Sequence, residues 1–173
     1  MQEGDKIYRI DSGLSNAYTE FMQINQGSND WKKDVNMVKF QKLIFKTLKK
    51  KKIGDITNFS GIYNGFSKSF LNLMAMNEIK SFIPYQIKII PEGEFPEYYY
   101  LEIKCKKIKK LKEKKKDLIN FGTNLFIDMK EWGGEDIFTI DETLTILCTE
   151  KVKKLVEKAK LKNFRFEELK KVE

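Results

Sequence analysis

The chain has 173 residues, 41% of them hydrophobic, 13% aromatic and 34% charged, with a formal net charge of +8. That content is too apolar and aromatic for a disordered chain, and it suits one domain, or two small lobes over 1–92 and 93–173. The chain contains no histidine, which removes Ser–His and Cys–His nucleophilic centres, histidine general bases and most zinc sites; this weakens the case for an enzyme and leaves carboxylate-only or lysine-based chemistry open.

In chain order, Met1–Lys6 is polar and acidic rather than a secretory leader, and Lys6–Ile10 alternates as a first strand. Leu14–Asn29 reads as a polar connection. Val35–Leu48 is rich in Val, Phe, Ile and Leu and fits either a strand or a short helix, and Lys49–Lys52 with Gly54 marks an exposed turn. Phe59–Phe66 reads as a loop entering a helix. Gly61 and Gly65 lack the lysine and preceding strand of a phosphate loop and are assigned to turn geometry. Ser67 is a good N-cap for a helix over Lys68–Asn77, with Phe70, Leu71 and Met74 on one face.

Tyr85–Ile90 and Glu97–Cys105 read as strands separated by the Pro91-Glu92-Gly93 turn. Tyr98-Tyr99-Tyr100 could form a stacking platform for single-stranded nucleic acid. On a strand, however, Tyr98 and Tyr100 share one face and Tyr99 takes the other, so core packing is preferred. Cys105 and Cys148 lie in apolar stretches, in neither a disulfide framework nor a zinc pattern, and no run of about 18 apolar residues spans a membrane. The reducing cytoplasm is the expected location.

Lys104–Lys116 contains nine lysines and one glutamate, and removing them leaves 24 basic and 24 acidic residues elsewhere. The positive charge is therefore one segment on a balanced domain. Ile108, Leu111, Leu118 and Ile119 are spaced roughly as in a basic amphipathic helix. Only Arg9 and Arg165 are arginine, which weakens sequence-specific DNA reading. Leu125–Met129, Ile137–Ile140 and Leu144–Cys148 read as short strands. Thr149 N-caps a helix with Val152, Leu155, Val156 and Ala159 on one face, and Asn163–Leu169 closes the chain with alternating Phe164 and Phe166.

A shift of 82 residues lays Ser67, Phe70, Leu73, Ile79 and Phe82 on Thr149, Val152, Leu155, Leu161 and Phe164. Two readings stand: internal duplication of a helix–strand unit, or two αβ units sharing a common pattern. The fold class expected is α+β, a mostly antiparallel sheet with two or three packed helices.

Three stretches carry a family resemblance. They are Gly65–Phe70 running on to Tyr85–Ile90, then Pro96–Ile103, then Ile137-Phe138 through Leu144–Val152 to Leu161–Phe166. With Ile7–Ile10 as opening strand, this order resembles the myxobacterial-type immunity proteins of bacterial polymorphic toxin systems, over roughly residues 57–169. The lysine-rich segment after Cys105 and the stretch Leu14–Lys52 depart from it. The resemblance implies a cytoplasmic, non-enzymatic antitoxin that blocks a cognate toxin domain by stoichiometric binding, with no cofactor and no catalytic residues.

Lys106, Lys107, Lys109, Lys110, Lys112, Lys114, Lys115 and Lys116 are candidates for docking an acidic toxin surface. The same run could grip nucleic acid, making the chain an accessory protein built on segment 104–116, or be a solvated helix face. Asp128–Glu142 fits a calcium loop poorly, since Lys130 and Trp132 occupy ligand positions, and reads as an acidic surface loop. Trp132, if exposed, would suit an interface anchor. A carboxylate-based enzyme is a distant alternative.

Overall fold

Ile7, Tyr8 and Ile10 are almost wholly buried, and Ile7–Ser12 forms the first strand, β1. The structure is a computed structural model and describes residues 6–13, 18–24, 36, 38–39, 43–49, 51–60, 63–105, 108–112, 118–122, 125–141, 143–170 and 172. The first half continues with β2 (Glu20–Gln23), β3 (Ile44–Lys49), β4 (Ile56–Phe59), β5 (Tyr63–Ser67), α1 (Lys68–Met76), β6 (Phe82–Gln86) and β7 (Lys88–Ile89). The second holds β8 (Tyr98–Ile103), β9 (Lys110–Leu111), β10 (Ile119–Gly122), β11 (Leu125–Ile127) and a 3-10 turn (Met129–Glu131). It ends with β12 (Ile137–Thr139), β13 (Ile146–Thr149), α2 (Glu150–Lys158) and β14 (Phe164–Leu169).

The strands form sheets of order β6-β8-β5-β4-β2-β3-β7, β12-β13-β1-β14 and β10-β11-β9. Between these strands, β2–β4 and β3–β7 pair in parallel and the other pairs are antiparallel. The class is α+β, with the helices packed on each other and on the sheets.

The halves exchange strands. β1 lies between β13 and β14, and β8 lies between β5 and β6. The register matches as well as the order. Ile7 faces Thr149 on one side and Leu169 on the other, and Ser12 faces Phe164. In the other sheet Tyr98 faces Ser67, and Ile103 faces Phe82. The same 82-residue offset relates α1 to α2, and Glu78 to Lys160, each of which leaves its helix with positive φ (59° and 54°). Polar contacts are reciprocal: Ser81 Oγ donates to the Ile137 carbonyl at 2.7 Å, and Asn163 Nδ2 to the Ile56 carbonyl at 2.8 Å.

Three larger cores among the described residues follow from this arrangement. The inner one draws on both halves, joining Tyr8, Ile10, Ile56, Phe66, Phe70 and Met74 to Leu101, Ile137, Cys148, Val152 and Val156. Two outer cores flank it, Phe21, Phe45, Phe59 and Tyr98 in one, and Ile7, Phe138, Ile140 and Leu147 in the other, so each takes its exchanged strand from the opposite half. Tyr98 and Tyr100 do share a face, toward the first outer core, while Leu101 turns to the inner one. Burial pushes the Tyr98 hydroxyl well above its ordinary value, and that hydroxyl donates to the Gly54 carbonyl at 2.6 Å, inside the protein rather than on a stacking platform.

Several expectations need correcting. The described part of the lysine run is extended, not helical: Ile108 bridges Ile140, and Lys110–Leu111 pairs with Phe126–Ile127. Ile108 is buried in the second outer core while Leu111 packs on a separate small cluster with Leu118, Phe126 and Val172, so the helical spacing marks no single face. Strand pairing across the chain outweighs that weak periodicity. Phe59–Phe66 is a hairpin rather than a loop, since β4 and β5 pair from Ile56↔Phe66 to Phe59↔Tyr63. The polar stretch after Leu14 contains β2, whose Phe21 is buried between aromatic neighbours. Val35–Leu48 supplies both alternatives, with Asn36, Val38 and Lys39 helical and Ile44 onward in β3.

Gly65 is a packing requirement, not a turn. A Cβ there would lie 2.3 Å from the Phe59 ring. That ring stacks on Phe21 at 4.8 Å and meets Phe45 edge-on at 5.1 Å, so it has nowhere to retreat. Gly65→Ala is expected to destabilise the protein by about 2–3 kcal/mol, the scale of overpacking a closed core. Urea unfolding checks this, and the midpoint should fall with an unchanged slope.

Candidate functional site

α2 begins where β13 ends, because Thr149 Oγ1 donates to Asp136 Oδ1 at 2.7 Å and Thr149 N–H to the Asp136 carbonyl at 3.1 Å. The first half repeats the device with Ser67 and Asp55, at 2.8 Å for both bonds. They differ in one respect: Ser67 Oγ also accepts from Phe70 N–H at 3.3 Å, a true cap, whereas Thr149 makes no such side-chain bond.

Beside each aspartate lies a groove. The one along α2 has a volume of about 590 Å³ and is lined by Lys6, Trp132, Gly134, Asp136, Thr149, Glu150, Lys151, Lys154, Leu155 and Lys158. Its counterpart along α1 has about 520 Å³ and is lined by Ile53, Gly54, Asp55, Ser67, Lys68, Ser69, Pro96, Glu97 and Lys162. The α2 groove carries four lysines against two carboxylates; the α1 groove carries two against two.

Three of the groove lysines are held by exposed ion pairs. Lys151 pairs with Asp136 at 2.7 Å, Lys154 with Glu150 at 3.0 Å and Lys6 with Glu168 at 3.3 Å, all with well-exposed ammonium groups. The hydrogen bond and charge of Glu168 raise the Lys6 ammonium above its ordinary value. The hydrogen bond from Lys154 holds the Glu150 carboxyl below its own, so both are ionised at neutral pH. Exposed pairs of this kind contribute little to stability and re-partner readily.

Trp132 lines this groove and is half-buried rather than exposed. Its indole N–H donates to the Glu135 carbonyl at 3.1 Å and its ring packs on Phe138 at 5.5 Å. It forms a fixed apolar wall. Of the lysine run, Lys109 and Lys112 are exposed and Lys110 half-buried, none of them lining this groove. Lys106, Lys107, Lys114, Lys115 and Lys116 lie outside the described residues. The groove lysines were legible: Lys151, Lys154 and Lys158 follow the three- and four-residue spacing of one helix face. A cap-and-core reading of that helix attends only to the opposite face.

A second titratable cluster surrounds Glu102. Tyr85 donates to its carboxylate at 2.8 Å, Lys39 makes a short charged bond, and Lys104 stands at 3.7 Å. Burial raises the Glu102 carboxyl, but the bonds from Lys39 and Tyr85 outweigh it and hold it below the ordinary 4.5. The carboxylate raises the Tyr85 hydroxyl in turn. All these groups satisfy one another, so the cluster reads as a tether between the helical turn at Lys39 and the sheet. No group of three or more metal-ligating side chains occurs among the described residues, and none of their helices is long and apolar enough to cross a membrane.

No family model matches the chain, and no curated protein matches it.

Because the Glu102 carboxyl is depressed on folding, its stabilisation is present above the ordinary value of 4.5 and is lost as pH falls through the lower folded value. Glu102→Gln should therefore be less stable than wild type at neutral pH by about 1 kcal/mol. The gap should close in acid, and thermal unfolding across that pH range measures it.

Proposed function

We propose that this chain is a non-enzymatic antitoxin, an immunity protein that binds a cognate toxin domain stoichiometrically and occludes its active surface. The observation that supports it best is the α2 groove: a rigid aromatic wall at Trp132 and an aliphatic one at Leu155, framed by exposed lysines. A buried anchor with a charged rim is how protein interfaces combine affinity with partner choice. The order of strands and capped helices that carries the family resemblance supports the same reading. The toxin domain encoded beside this protein should co-purify with it and stop arresting growth when the two are co-expressed. A folded protein that neither binds nor protects refutes the pairing.

We further propose that the chain is an internal duplication whose copies exchange their first strands. Offsets of 82 residues for the helix–strand units and 91 for β1 and β8 support this, since they preserve register on both sides of each exchanged strand. Each copy alone lacks the central strand of its own sheet. Chain cleaved between Glu92 and Gly93, an exposed turn, should remain folded as a complex. Residues 1–92 and 93–173 produced separately should be largely unfolded and regain structure on mixing, followed by circular dichroism.

A further inference from the structure

The two grooves answer to the same backbone, so the residues they share report what the fold requires and the residues they do not share report something else. Shared are the aspartate, Asp55 or Asp136, and the hydroxyl it accepts from, Ser67 or Thr149. Leu73 and Leu155 also correspond, both packing on the inner core. Elsewhere the halves diverge in charge: Glu150 of α2 stands where α1 carries Lys68, and the remaining changes add lysines to the α2 groove. Lys151, Lys154 and Lys158 of α2 stand where α1 carries Ser69, Asn72 and Met76, and Lys6 beside β1 stands where β8 is preceded by Glu97. α1 folds onto the same core without these lysines, so packing does not demand them.

We propose that the α2 groove, through Lys6, Lys151, Lys154 and Lys158, is the docking site for an acidic segment of a protein partner. Spaced carboxylates on that segment replace the loosely held intramolecular partners of the lysines, while its apolar side chains lie on Trp132 and Leu155. This deepens the antitoxin reading and rests on it for the identity of the partner.

A protein segment fits better than nucleic acid for two reasons on the groove wall itself. Asp136 and Glu150 stand inside the lysine frame, Asp136 bound to Thr149 and Lys151, and Glu150 bound to Lys154, whose hydrogen bond holds its carboxyl below the ordinary value. They would oppose a phosphate backbone with its dense, evenly spaced charge, whereas carboxylates on a folded segment can be placed to avoid them. Trp132 is also the one aromatic ring among the described residues that line the groove, whereas single-stranded nucleic acid is held by stacking successive bases on several rings.

The test uses the full chain, the triple reversal K151E/K154E/K158E, and the control K68E/K162E in the α1 groove. Intrinsic tryptophan fluorescence is titrated with a short synthetic peptide alternating Glu and Leu and, separately, with single-stranded polyuridylate. The wild type and the control should bind the peptide equally, the triple variant about tenfold or more weakly, with urea midpoints confirming that all three fold. The single change Lys158→Glu should weaken binding by a smaller factor. Equal peptide binding by wild type and triple variant, no peptide binding at all, or tighter binding of polyuridylate each overturns the proposal.

The toxin domain supplies the separating arm. If the triple variant neutralises toxin as well as wild type does, the groove is not the docking site and the antitoxin reading stands. If wild type binds the acidic peptide in the groove yet ignores the toxin, the antitoxin reading falls and the groove remains a site for an acidic protein segment.

Discussion

The fold depends on one arrangement of backbone hydrogen bonds, the insertion of β1 between β13 and β14. It ties the first described residues to the last, and its counterpart, β8 between β5 and β6, ties the halves in the opposite sense. A central strand with partners on both sides has no free edge, and both faces of β1 carry buried residues. Ile7 therefore serves an outer core while Tyr8 and Ile10 serve the inner one. Neither sheet can be completed by its own half, so the inner core is assembled from both.

Once the strands are exchanged, the helices have little freedom. Each starts at a hydroxyl fixed by an aspartate on the neighbouring strand, Ser67 by Asp55 and Thr149 by Asp136, and each leaves through a left-handed residue. Paired devices fix where each helix starts and how the chain returns to an edge strand. The grooves are the consequence, formed where a helix passes the aspartate that sets its start.

A near-symmetric scaffold separates structural from functional chemistry without recourse to relatives. Positions that agree between halves are dictated by packing or hydrogen bonding, as with Ile56 and Ile137, both fully buried. Positions that disagree in charge at the same backbone location are free of that constraint. By this criterion the lysines of α2 stand out more than the longer run after Cys105, which is partly absorbed into strand pairing through Ile108, Lys110 and Leu111.

By itself the sequence determined the local elements whose signals are short-range. The capped helix after Ser67, the strand through Tyr98–Ile103 and the alternation of β1 were all legible, because caps, β-branched and aromatic runs and helical periodicity are written within a few residues. Only the tertiary structure decided what depends on distant partners. It turned Phe59–Phe66 into a hairpin, since Gly65 admits the Phe59 ring, and made the lysine segment extended, since Ile108 finds a strand neighbour in Ile140. It also brought Lys6 and Trp132 to one groove along α2. Strand pairing is non-local: the partner that satisfies a backbone amide can lie anywhere along the chain, and no window of sequence contains it.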